Sequence, residues 1–89
     1  MDSDRYVYIS TATTTNVLVG PGTLKKVIIT ETAAGTISIY DNAAGGTSNP
    51  IAVFKASVVE NSYEFEVACA NGIQVVTAGA SKLTLVYSR

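Results

Sequence analysis

A succession of short β-type segments, separated by Gly, Asn, Pro and Ser, constrains the fold of this chain more than any other feature. About eight such segments follow one another, and no helix of ordinary length is indicated between them. Several are dense in β-branched residues, which lose side-chain freedom in a helix. A chain of 89 residues holds one core. The sequence therefore predicts a single all-β domain over residues 1–89, a small antiparallel β-sandwich or barrel.

The turn signals divide the chain into predicted strands at 5–11, 16–19, 23–32, 36–41, 51–57, 62–69, 73–78 and 82–88. The Ala33-Ala34-Gly35 segment predicts a β-hairpin between the third and fourth strands. Asn71-Gly72 favours a type I′ turn, in which both central residues have positive φ. It predicts a second hairpin, between 62–69 and 73–78.

Alternation within these strands predicts which side chains form the core of a two-sheet sandwich. The expected core residues are Ile37, Ile39, Phe65, Val67, Ile73, Val75, Leu83 and Leu85. Tyr63 and Tyr87 fall in the same inward rows. Cys69 ends one such row, and we interpret it as a small core residue.

Composition excludes several partners. The chain has six Lys and Arg against seven Asp and Glu, and its one adjacent cationic pair, Lys25-Lys26, suits a solvated strand end better than a phosphate site. We therefore expect no nucleic acid partner. No secretory signal and no apolar run of membrane-spanning length is present, so we expect no membrane partner. A lone cysteine excludes an intrachain disulfide and favours a product made inside a cell.

No group of residues indicates catalysis. The chain has no His, so Cys69 lacks the usual base that would activate it. Glu64 and Glu66 are spaced like paired carboxylates, but the solvated face of an amphipathic strand explains them better. Asp41 and Asn42 offer oxygen ligands for Ca²⁺, but turn chemistry is preferred because residues 43–50 contain no further acid. We expect no catalytic residue, no metal, no cofactor and no enzyme activity.

Apolar residues also lie opposite the predicted core rows. With 47% hydrophobic and 15% charged residues, the chain has more apolar surface than a small sandwich hides alone. Either the register is off by one residue and some of these side chains are core, or they form a subunit interface. We predict interface residues Tyr8, Leu18, Ile28, Tyr40, Phe54 and Val86. The expected state is a homo-oligomer, with a trimer ahead of a dimer.

Two stretches carry a family resemblance. Gly-Thr-Leu-Lys-Lys-Val-Ile-Ile, then Gly-Thr-Ile-Ser-Ile-Tyr-Asp-Asn, and later Asn-Gly-Ile-Gln-Val-Val-Thr-Ala-Gly before Leu-Thr-Leu-Val-Tyr lie within 22–42 and 69–89. In these segments the chain resembles small β-sandwich structural proteins of tailed bacteriophages, including capsid decoration and cement proteins. The resemblance implies a jelly-roll-like sandwich without a cofactor, bound as a trimer to the major capsid protein.

The resemblance also implies a location on the capsid surface of a virion, after synthesis in the host cytoplasm. An alternative function is a carbohydrate- or receptor-binding module of a phage fibre or tail. That alternative needs exposed aromatic side chains beside polar groups, and the absence of Trp counts against it.

Overall fold

The fold consists of strands joined by turns and short connections. A computed structural model describes residues 4–43 and 49–88, and within them it contains no helix and so no helix able to cross a membrane. The strands are β1 (Arg5–Ile9), β2 (Thr14–Val19), β3 (Gly22–Glu31), β4 (Ile37–Tyr40), β5 (Pro50–Phe54), β6 (Ser62–Cys69), β7 (Gly72–Thr77) and β8 (Lys82–Ser88). The predicted all-β class and the number of strands are confirmed.

The strands form two antiparallel sheets of four. Sheet A has the order β1-β8-β3-β6, and sheet B has the order β2-β7-β4-β5. Successive strands pass from one sheet to the other, except that β4 and β5 are neighbours in sheet B. This is the strand order of a jelly roll, in which the two sheets pack face to face around one core. The predicted jelly-roll-like sandwich is confirmed.

Both predicted hairpins are wrong. β3 and β4 lie in different sheets, and so do β6 and β7. Asn71 is not among the described non-glycine residues with positive φ, so Asn71-Gly72 does not form a type I′ turn. The turn signals correctly mark where the chain reverses. They do not determine whether the next strand pairs with the previous one or crosses to the opposite sheet.

The core lies between the sheets and is made by the inward rows of all eight strands. One row crosses sheet A from Val7 through Leu85 and Val27 to Tyr63. Six of the eight predicted core residues are fully buried: Ile37, Ile39, Ile73, Val75, Leu83 and Leu85. Phe65 and Val67 are half-buried and pack against this cluster, as Tyr63 and Tyr87 do.

Two predicted interface residues belong to the core instead. Leu18 is only 6% exposed, because an irregularity in β2 between Asn16 and Leu18 shifts the register and places Leu18 opposite Ile73. Phe54 is 9% exposed and bridges the sheets, with its ring centroid 5.0 Å from that of Tyr63. The prediction failed because β2 and β5 carry apolar residues on both faces, so alternation alone does not choose the inner one.

Candidate functional site

The outer face of sheet A carries a group of aromatic and apolar side chains among polar ones. Two cross-strand rows form it, one containing Tyr6, Val86, Lys26 and Glu64 and the other containing Tyr8, Thr84, Ile28 and Ser62. Tyr6 is 74% exposed and Tyr8 is 53% exposed, while Ile28 and Val86 are half-buried. We call Tyr6, Tyr8, Ile28 and Val86 the tyrosine face.

The tyrosine face is unusual for the solvent side of an antiparallel sheet, where polar residues normally alternate with buried apolar ones. Tyrosine combines a large apolar ring with a hydroxyl group that can stay in water, so it suits a protein interface that covers one part of the side chain and leaves the other wet. The one opposite-charge pair in these rows, Lys26 across from Glu64, leaves no net charge there. This surface can therefore bury apolar area against a protein without burying a charge that has no partner of opposite sign.

The structure brings together three of the six predicted interface residues, Tyr8, Ile28 and Val86. Tyr40 lies elsewhere, half-buried in sheet B and opposite Gln74. The sequence prediction omitted Tyr6, although the period of two in β1 puts it on the same side as Tyr8. The period of two is therefore the sequence signal that identifies Tyr6 as a surface residue.

The outer face of sheet B is more polar. One of its rows contains Thr14, Val76, Ser38 and Val53. Val53 is 61% exposed, but its partner across the pair is Ser38. Single exposed valines among hydroxyl side chains are ordinary on a protein surface.

A group of polar contacts centres on Asp41, immediately after β4. One carboxylate oxygen, Oδ1, accepts backbone N–H bonds from Asn71 at 2.8 Å and Gly72 at 3.2 Å. The other, Oδ2, accepts the N–H of Ala70 at 3.1 Å. We call this set of bonds the Asp41 clamp. It ties the end of β4 to the connection between β6 and β7, a long-range contact in place of the local turn that the sequence suggested for Asp41.

The clamp favours the ionised carboxylate. The N–H of Asn71 is the main cause that lowers the pKa of Asp41 below its ordinary 3.8; burial opposes the shift, and the N–H groups of Ala70 and Gly72 add to it. A lowered pKa in the folded chain means that this contribution to stability is present above the unfolded pKa. It is lost as the pH falls through the folded pKa.

We expect Asp41→Asn to lower the free energy of unfolding by about 1 to 2 kcal/mol at about pH 7, because a charged acceptor is lost while a neutral one remains. The difference in stability between wild type and variant should shrink as the pH falls below the ordinary carboxyl pKa of 3.8 and through the lower pKa of folded Asp41, because the carboxylate then takes up its proton, and thermal melts will measure it. Asp4→Asn, at an exposed position before β1, is the control and should show no such gap. A gap that stays constant with pH contradicts this role of Asp41.

The remaining candidate residues have structural roles. Cys69 is buried, and burial first and the charge of Asp41 second raise the pKa of its thiol. Its interpretation as a core residue is confirmed. Glu66 is exposed and lies 3.7 Å from the ammonium group of Lys25, and Glu64 is exposed across from Lys26. Both carboxylates lie on the solvated side of β6, as interpreted.

Comparison with known proteins gives a likeness of fold. No protein-family model and no curated protein matches the sequence. The chain is similar in structure to the Drosophila NLP core, a protein described for its pentamer formation and histone binding, with a TM-score of 0.55 and 14% sequence identity. The likeness covers 98% of this chain and 96% of that one. At this identity the two proteins share a fold.

This finding corrects the family prediction. The fold match leads to a pentameric histone-binding core and not to a phage structural protein. The resemblance to phage decoration proteins is therefore wrong, and so are the function drawn from it, the trimer and the major capsid protein as partner. The strand and turn segments on which the resemblance was based indicate a β-sandwich and do not identify a family.

Proposed function

We propose that this chain is a non-catalytic assembly subunit that associates with copies of itself through the tyrosine face to form a closed ring of five. The exposure of Tyr6 and Tyr8 beside Ile28 and Val86 is the observation that carries the proposal. The number five is taken from the structural neighbour, which forms pentamers.

The energetics of the tyrosine face support association. Burying one large apolar side chain contributes about 1.5 to 3 kcal/mol. The two exposed tyrosines, with the part of Ile28 and Val86 that is still exposed, together offset an association cost of several kcal/mol. Tyrosine is also enriched in the centres of protein interfaces, and charged residues are depleted there. Of the eight residues in the two outer rows, only Lys26 and Glu64 are charged, and they lie opposite each other.

A ring sets a geometric condition on the contact. In cyclic assemblies of more than two subunits, a surface on one subunit meets a different surface on the next. We assign the tyrosine face to one side of this contact. We leave the outer face of sheet B in solvent, because a row on that face alternates valine with Ser38 and Thr14.

The proposal takes assembly from the neighbour and leaves histone binding aside. A partner as basic as a histone calls for clustered acidic residues. Here seven acidic residues are balanced by six basic ones. The non-catalytic part of the proposal is supported by the lack of His and by the burial of Cys69, the chain's one thiol.

A pair of substitutions on opposite sides of the sandwich tests the proposed contact. Tyr8→Asp should dissociate the oligomer, because it places a carboxylate without a partner in a buried contact. Val53→Asp adds the same charge at a comparably exposed strand position of sheet B and should leave the assembly intact. Light scattering during size-exclusion chromatography measures the mass of each variant, and circular dichroism checks that each is folded. Equal masses for wild type and folded Tyr8→Asp would show that the tyrosine face is not the contact.

A further inference from the structure

The Asn71-Gly72 pair that connects β6 to β7 has a reactivity of its own. The backbone nitrogen of Gly72, once it loses its proton, can attack Cγ of the Asn71 side chain. A new N–C bond closes a five-membered succinimide ring, and the side-chain nitrogen leaves as ammonia. Water then opens the ring to give aspartate or isoaspartate at position 71. Glycine favours this reaction because it has no side chain to obstruct the approach, and the two reacting groups are already in one molecule.

The surroundings of the pair leave Asn71 open to water but restrain the backbone nitrogen of Gly72, which is the nucleophile. Asn71 is exposed, whereas Gly72 is buried. The N–H of Gly72 donates to Oδ1 of Asp41 at 3.2 Å, and the Asn71 N–H donates to the same oxygen. The carbonyl oxygen of Asn71 accepts the N–H of Gly20 at 3.0 Å. The backbone on both sides of the reacting bond is therefore fixed by hydrogen bonds.

Asp41 opposes the reaction electrostatically as well. The attacking species is a deprotonated amide nitrogen, and forming that negative charge next to a carboxylate is unfavourable. The ionised state of Asp41 is the state that the clamp favours, as its lowered pKa indicates. Space is also short, because a Cβ built on Gly72 would lie 2.4 Å from the carbonyl oxygen of Leu18. The backbone at Gly72 has little room to turn towards the side chain of Asn71.

We propose that Asn71-Gly72 is a latent deamidation site and that Asp41 is the residue that restrains it. Modification introduces a carboxylate at position 71, against the carboxylate of Asp41. In the isoaspartate product the backbone also gains a carbon atom inside the clamp. The added charge weakens the clamp by repulsion in both products, and the extra backbone carbon also displaces its N–H groups in the isoaspartate product, so the modification loosens the hold of Asp41 on the connection between β6 and β7.

Incubation of the folded protein at mildly alkaline pH, followed by peptide mass spectrometry with isoaspartate detection, tests this proposal. The Asp41→Ala variant should convert Asn71 at least about tenfold faster than wild type, the factor for one lost charged hydrogen bond. Asp41→Asn should lie between the two, because its amide oxygen still accepts a bond without the charge. Wild type should also convert more slowly than the same chain unfolded in urea.

Two controls separate the clamp from general unfolding. Thr77→Val removes hydroxyl bonds to the carbonyl oxygens of Thr11 and Thr13 at a different connection, so it weakens the fold while keeping Asp41. Asn61-Ser62 in the same digest reports unfolding, because the Asn61 carbonyl oxygen accepts the N–H of Ile29 at 2.8 Å in the folded chain and the pair lies outside the clamp. Faster conversion at Asn71 alone supports the proposal. It is overturned if Asn71 and Asn61 accelerate together, if Thr77→Val matches the Asp41 variants, or if wild type converts as fast in the folded as in the unfolded state.

Discussion

Gly72→Ala should destabilise the folded chain by about 3 kcal/mol or more, an effect in the upper range for single substitutions. Two causes act together. Gly72 has a φ of 154°, which L side chains rarely adopt. A Cβ there would also lie 2.4 Å from the carbonyl oxygen of Leu18 and 3.0 Å from that of Asn42. Both atoms belong to the backbone and cannot move away as a flexible side chain would.

Gly20→Ala is the matched control. Gly20 also has a positive φ, 101°, but no atom lies within 4 Å of the position of its Cβ. It should therefore lose about 1 to 2 kcal/mol from backbone strain alone. Urea unfolding of both variants and wild type at one protein concentration gives the comparison. Equal losses for Gly72→Ala and Gly20→Ala would mean that the close approach at Gly72 contributes nothing.

The size of this effect follows from what meets at Gly72. The end of β2, the residues after β4 and the start of β7 come together there, and the Asp41 clamp joins the latter two. The connection between β6 and β7 also crosses from sheet A to sheet B. A change at one residue therefore disturbs both sheets.

The sequence predicts the strands well because their signals are local. In β6, Tyr63 and Phe65 alternate with Glu64 and Glu66, and the observed burial alternates in the same way. The inward rows of β4, β7 and β8 follow from the same period of two. Turn residues such as Gly20 and Gly79 correctly mark the places where strands end.

Strand pairing is beyond this local information. The jelly roll joins β1 to β8 and β3 to both β6 and β8, partners that are far apart in the chain. A turn sequence such as Asn71-Gly72 is compatible with a hairpin and with a crossing between sheets. The three backbone N–H groups held by Asp41 are a contact across about thirty residues, which no spacing rule predicts.

The sequence predicts only part of the candidate site, because the site also depends on strand pairing. Alternation predicts Tyr8, Ile28 and Val86 as surface residues because they lie opposite core rows, and the strand register places them on one face of sheet A. Leu18 and Phe54 satisfied the same criterion but are core. A strand with apolar residues on both faces has two possible inner faces, and only the opposite sheet decides between them.

Native mass spectrometry of the unmodified protein at micromolar concentration tests the central claim, self-association, most directly. We predict a dominant species with five times the mass of one chain, as for the structural neighbour. Burial of the tyrosine face should make this species persist as the salt concentration rises, because the apolar contribution does not depend on charge pairing. A folded chain that remains a monomer at every concentration measured would contradict the proposed function.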